Sequence, residues 1–383
     1  MNLRHYFNSV NFSKYADSLT SAWKYSLGST IEKYTLQLNE LNISKVELAI
    51  VGVPFENCET ECNVTGAPDK IREELYRLAG LGKVNIVDFG NLKQSKSQKG
   101  NYLAVRDLID YLTELNITVI VIGGGQDFSY GVCQAFRNNK FFSFCSIDAF
   151  LDIRKGREPF NSTNYLSRIF SNQPNIFQFS LLAYQRHYVV KEYLAKTKGV
   201  NNHLRLGSLT VELELAEPVF RNSDFLSFDF GAIKYAEAPG KRLTPNGLSG
   251  EHACQLAKYA GLSNRLNVFG LFEIDDAVDN SELTVKLAAQ VIWYFIEGRI
   301  QRSVKLPSDS EGFVTYKVEI EDINTPINFY KNLETNQWWF QVQAENSEIM
   351  YVACSEKDYI AATHNEIPGL WLKYIQKIDE LLK

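Results

Sequence analysis

Between about residues 46 and 297, short apolar runs rich in β-branched residues alternate with longer stretches in which apolar residues return every third or fourth position. The first pattern is that of buried strands and the second that of amphipathic helices; their alternation predicts a parallel α/β sheet with helices on its faces. Strands are expected at 45–51, 84–89, 118–122, 141–147, 175–180, 225–230 and 266–271. The clearest helices are expected at 69–78, 104–115, 130–137, 250–260 and 281–297. After Glu297 the period changes. The segments 314–320, 327–329 and 338–342 alternate as antiparallel strands do, and 370–382 reads as a closing helix. Between 351 and 359 a strand should run into a helix capped by Ser355, with Asp358 at its third position. A polar, turn-rich stretch at 302–312 separates the two patterns. The expected organisation is therefore a main domain over 1–303, with 1–44 packed on it as an extension, and a small appendage over 304–383.

A chain of 383 residues, 45% hydrophobic and 13% aromatic, can bury a large core. Forty Lys and Arg against 45 Asp and Glu leave a net charge of -5, which supplies no bulk attraction to nucleic acid or anionic lipid. Neither is expected as a partner. The N-terminal residues lack the apolar run of a signal peptide, and no segment reaches the roughly 18 apolar residues of a membrane span. Six thinly spread cysteines do not form a secreted disulfide framework, so a cytoplasmic setting is expected. Cys58 and Cys62 share a Cys-x3-Cys spacing that offers too few ligands for a cluster.

Three segments sit where a buried strand should end: Gly123-Gly124-Gly125-Gln126-Asp127, Ser146-Ile147-Asp148-Ala149-Phe150-Leu151-Asp152 and Ser227-Phe228-Asp229-Phe230-Gly231. If Asp148, Asp152 and Asp229 converge to about 5 Å they repel by roughly 3 kcal/mol per pair at an effective dielectric near 20. A hard metal ion or a cationic ligand would relieve this. Three separate turn and capping aspartates are the simpler alternative, and residue types alone leave both open.

Taken in order, these segments resemble the signature of the ureohydrolase superfamily of arginases, agmatinases and formimidoylglutamases. Gly66-Ala67-Pro68 before Ile71-Arg72, Ala238-Pro239-Gly240, and Glu273-Ile274-Asp275 before Thr284-Val285-Lys286-Leu287-Ala288-Ala289 resemble further parts of it. The resemblance implies a three-layer α/β/α arginase-like fold with a central parallel sheet and two manganese ions. It places one ion on positions 126, 148, 152 and 229, and a partner ion on 148, 150, 229 and 231. This sequence has Gln126 and Phe150 where the family has histidines, and Gly231 where it has an aspartate. A phenyl ring and a glycine hydrogen donate no lone pair, so the second ion loses both of its private ligands. The metal site is thus degenerate at Gln126, Asp148, Phe150, Asp152, Asp229 and Gly231, with Asp148, Asp152 and Asp229 as residual ligands. No cofactor is expected; the alternative is a single manganese or magnesium ion that also uses the Gln126 carbonyl oxygen.

The family's proton-shuttling histidine is also missing, since residues 153–176 contain no histidine. The five histidines present, His5, His187, His203, His252 and His364, match no ligand or shuttle motif by spacing. Glu273 corresponds to the family acid that holds the substrate's guanidinium-like end. Arg154 or Lys155 could fold inward to replace a lost cation. The expected function is a family member without ureohydrolase activity that binds a protein partner or a small cationic ligand. The alternative is a hydrolase of a linear amidine working with one metal. Trp338 and Trp339, adjacent on a strand, should point to opposite faces, one onto the main domain and the other toward a partner. A homo-oligomer is compatible with the resemblance.

Overall fold

The computed structural model describes residues 1–8, 23–33, 43–55, 65–82, 84–156, 158–173, 176–197, 199–239, 244–309, 311–343 and 349–382. Cys58 and Cys62 lie outside the described residues.

The apolar runs do form the strands of one large sheet: β1 (Phe7–Asn8), β2 (Glu32–Lys33), β3 (Leu48–Gly52), β4 (Ile86–Leu92), β5 (Thr118–Ile122), β6 (Ser143–Ile147), β7 (Gln178–Tyr184), β8 (Val200–Asn201), β9 (Leu204–Arg205), β10 (Phe225–Asp229) and β11 (Val268–Phe272). The path across it is β1-β4-β3-β5-β11-β10-β6-β7-β8, with β2 on β4 and β9 on β7. Among the described residues, only the β1–β4 pairing of this sheet is antiparallel. Strands β3, β5, β6, β10 and β11 are buried at every position, which is why they read as continuous apolar runs instead of alternating ones. The two-residue strands, and the helix Tyr165–Asn172, carry too few periodic positions to be read from sequence.

Helices cover both faces. On one side lie α1 (Ala67–Arg77) and the long pair Gly250–Gly261 and Leu283–Gln301; on the other lie Gln98–Glu114, Ser129–Ala135 and Tyr165–Asn172. Each face has its own apolar cluster, giving the three layers. Helix starts follow local chemistry: Ser97 accepts from the Gly100 N–H, Ser249 from the His252 N–H, and Pro68 sits in the first turn of α1. The N-terminal residues join the main body through β1, where Phe7 stacks on Phe89 at 5.4 Å.

After residue 312 the chain forms a separate four-stranded antiparallel sheet, β12 (Phe313–Val318), β13 (Ile327–Asn332), β14 (Trp338–Val342) and β15 (Met350–Cys354), in that order. Two helices follow, Glu356–Thr363 and Gly369–Leu382, the first with a complete Ser355–Asp358 capping box. Their apolar cluster includes Phe177 and Val200 of the main sheet, so the appendage is docked and not tethered.

Trp338 and Trp339 are each 5% exposed, which corrects the expectation that they offer a partner an anchor. Trp339 packs under the Arg221 guanidinium at 4.4 Å and against Phe313. Trp338 stacks on Tyr359 at 4.8 Å and on Tyr316 at 5.5 Å. The strand does direct the two rings to opposite faces, but the chain itself covers both.

Candidate metal centre

The chain moves from β5 past β11 and β10 to reach β6, so the order of the sheet reverses beside β5. Parallel register then brings four strand ends together. Phe228 lies level with Ile147, and Asp229 with Phe272, which places Asp148, Asp229 and Glu273 at the same edge as the Gly123–Gln126 turn.

Asp148, Asp152 and Asp229 each bring a carboxylate oxygen within 4.8 Å of the others, and all three are buried. Two of them are aimed by their own backbone. Asp148 Oδ1 accepts the Phe150 N–H at 2.8 Å, and Asp229 Oδ1 accepts the Gly231 N–H at 2.6 Å. Each of these Asx turns occupies one oxygen and turns Oδ2 toward Gln126, whose amide end lies 3.1 Å from both.

That amide has two orientations with different consequences. With Nε2 inward it donates to Ser146 Oγ and Ser227 Oγ at 3.2 Å, and Oε1 faces the two carboxylate oxygens. An amide oxygen 3.1 Å from each of two carboxylate oxygens is repelled by both unless a cation sits among them; bonds of about 2.1 Å around an octahedral ion separate adjacent ligands by about 3.0 Å. With the amide turned over, Nε2 donates to Asp148 and Asp229, while Oε1 accepts from the Ser146, Tyr165 and Ser227 hydroxyls at 3.2 Å. Hydroxyls serve as donor or acceptor, so they accommodate both orientations.

Sequence reasoning overlooked this hydroxyl cage. A signal was present: Ser146 and Ser227 each precede an aspartate by two residues, and a strand's period of two puts Ser and Asp on one side. Ser129 Oγ extends the cage by 2.9 Å to Ser227. Tyr165 is fully buried, and burial first, then the nearby aspartates, push its phenol well above the ordinary range, so it stays protonated.

Phe150 and Gly231, the positions at which the family resemblance puts the second ion's private ligands, offer no side-chain donor. The Phe150 ring instead stacks on Tyr188 at 4.5 Å. The donor set fits one oxygen-loving ion on Gln126 Oε1, Asp148, Asp152 and Asp229, and does not fit a pair.

Glu273, 3% exposed, is tied into the scaffold: its Oε1 accepts the Gln126 N–H at 2.8 Å, and its own N–H reaches Gly124 O at 3.0 Å. It holds φ = +58°, a left-handed conformation that costs a non-glycine residue about 1 kcal/mol or more. The preceding turn needs glycine. Gly123 and Gly124 have φ near +82°, and a Cβ on Gly125 would lie 2.4 Å from Asp127 Oδ1. Asp127 is itself buried, accepts the Tyr102 hydroxyl through Oδ2, and burial raises its carboxyl to about 7, helped by Glu273.

Arg154 and Lys155 do not fold inward. Arg154 pairs with Glu158 at 3.5 Å on the surface, and Lys155 lies over Tyr193. Among the histidines, His203 is a core residue bonded to the Leu181 N–H and Thr197, and His252 starts a helix. His187 is exposed but stands beside the site, its ring 4.1 Å from Tyr188. It lines a cleft of about 440 Å³ with Arg186, Arg205 and Lys234.

A doubly covered parallel sheet with buried aspartates at its carboxyl edge, beside a reversal of strand order, is an α/β scaffold with its polar cluster where such sheets place their ligand sites. The Arginase family model matches residues 46–297, and the chain belongs to that family. Its relatives include the formimidoylglutamase of Halalkalibacterium halodurans, 23% identical over 283 residues, covering 67% of this chain and 88% of the relative. The Clostridium tetani formimidoylglutamase is 25% identical over 259 residues, covering 61% and 77%. Among solved structures, a formimidoylglutamase from Bacillus subtilis superposes with a TM-score of 0.65 at 17% identity, covering 76% of this chain and 98% of that one. A Trypanosoma cruzi formiminoglutamase solved with Mn2+ gives 0.62 at 18% identity, covering 69% and 97%. These likenesses bear out the arginase-like α/β/α fold. Among the described residues, no helix is long and apolar enough to cross a membrane.

Proposed function

We propose that this chain is a hydrolase acting on the C–N bond of a linear amidine, a formimino or guanidino compound, with one divalent ion held by Asp148, Asp152, Asp229 and Gln126 Oε1. The observation that carries this reading is the convergence of three buried carboxylates on the amide of Gln126. Its relatives' names support the same side of the earlier alternatives, hydrolysis over a binding role alone. The chemistry an ion would supply there is activation of water toward the amidine carbon. The chain's own residues do the rest. The Asx turns keep both Oδ2 atoms inward, Glu273 fixes the Gln126 loop, and the Phe150–Tyr188 stack walls the site with apolar surface. Arg186, Arg205 and Lys234 suit an acidic group on the substrate, and His187 in the same cleft is the candidate proton carrier to the leaving group.

Purified protein dialysed against manganese should retain one ion per chain and release ammonia, urea or formamide from one member of a guanidino and formimino panel. An Asp152→Asn variant should lose both. A second reading rests on the turned amide, whose Nε2 hydrogens satisfy Asp148 and Asp229 without an ion. Under it the pocket binds a small cationic ligand and hydrolyses nothing. Protein that folds, retains no manganese and turns over no amidine would establish that reading in place of the first.

A further inference from the structure

On the face of the sheet that carries helices Gln98–Glu114 and Ser129–Ala135, a cavity of about 260 Å³ opens between them and the loop at Phe160. Its walls are three rings set edge to face. Tyr102 meets Tyr130 at 6.1 Å and 87° and Phe160 at 5.3 Å and 76°, and Tyr130 meets Phe160 at 5.5 Å and 69°. Such a wall offers edges and faces to a further flat ring. Below about 300 Å³, the usual lower bound for ligand pockets, there is room for one ring and a short substituent.

The charge at this cavity is one-sided. Lys99, Arg106 and Arg168 line it and, among the described residues, no carboxylate does, in a chain whose net charge is -5. Asp107 partly offsets Arg106 at 2.6 Å, and Lys99 has no partner among the described residues. The Arg168 guanidinium lies over Phe160 at 4.7 Å and Tyr130 at 5.4 Å, which leaves its N–H edge for an anion. Gln134 adds an Nε2 without a hydrogen-bond partner.

We propose that this cavity binds a small aromatic carboxylate, its ring against Tyr102, Tyr130 and Phe160 and its carboxylate on Arg168 and Lys99. The inference stands on the cavity alone and is independent of the amidine reading. The Tyr102 ring that forms one wall also donates its hydroxyl to Asp127, next to Gln126, so the occupant sits one hydrogen bond from the metal-site loop.

Calorimetric titration of the full chain with benzoate and benzamide tests it. Benzoate should bind once per chain, and its neutral isostere benzamide about tenfold or more weakly, a difference of about 1.4 kcal/mol. Arg168 is exposed, so Arg168→Gln should fold with an unchanged thermal midpoint and weaken benzoate about tenfold. Arg205→Gln, in the separate cationic cleft, should leave benzoate binding unchanged. Absence of saturable benzoate binding, equal binding of benzoate and benzamide, or sensitivity to Arg205→Gln in place of Arg168→Gln would each overturn the assignment.

Discussion

At the scale of single residues, three positions carry the proposal of one ion in place of two. Phe150 and Gly231 remove donors, whereas Gln126 exchanges an imidazole for an amide with two usable faces. Restoring Gln126→His, Phe150→His and Gly231→Asp together should add a second manganese per chain, measured by elemental analysis after dialysis; a folded triple variant with unchanged metal content would contradict the ligand assignment. His203 supplies a pH prediction. Burial first, then Lys373, lowers its pKa from 6.5 to about 4. The unfolded chain therefore binds more protons between those values, and stability is lost as pH falls through that window, by at most about 3 kcal/mol. Thermal unfolding from pH 7 to pH 4 should show this decline, and His203→Gln should flatten it.

At the scale of elements, the long runs were legible because burial leaves a periodic trace. Helix Gly250–Gly261 and strands β5 and β10 lie within a residue or two of their expected bounds. What periodicity did not convey was how closely elements approach. A Cβ on Gly298 would lie 2.3 Å from Lys258 O, and one on Gly261 2.2 Å from Phe295 O, so the two long helices cross with their backbones almost touching. Gly298→Ala must push them apart and should cost about 1–3 kcal/mol, read from chemical denaturation. The Ser355 cap was legible as a local motif, because a capping box is made within four residues. Ser355→Ala should cost about 1 kcal/mol and lower the thermal midpoint without altering the metal centre.

At the scale of the whole molecule, Arg221 and Asn222 of the main domain add polar anchors to the apolar docking of the appendage on Phe177 and Val200. Arg221 Nη2 donates to Trp338 O at 3.1 Å and Cys354 O at 3.3 Å, its Nε meets Glu217 at 2.7 Å, and its plane stacks on Trp339. Asn222 exchanges two 2.9 Å bonds with Ala353, as a strand neighbour would. Arg221→Ala leaves Glu217 and two carbonyls short of a buried donor, and should cost about 2 kcal/mol or more. Limited proteolysis should then cut the 302–312 connection faster than in the parent chain. The local sequence shows only the Glu217–Arg221 pair four positions apart; the appendage partners of Arg221, Trp338, Trp339 and Cys354, lie more than a hundred positions away. The same limit governs the site. Sequence alone determined the pattern of the longer strands and helices, the family and the absence of donors at 150 and 231, since each is a matter of residue type or local periodicity. Only the tertiary structure decided that three aspartates meet, that hydroxyls from two strands and a helix cage the Gln126 amide, that Glu273 serves the loop, and that both tryptophans are covered. Those outcomes depend on which strand ends become neighbours, and register across a sheet is set by long-range packing that no local window of sequence contains.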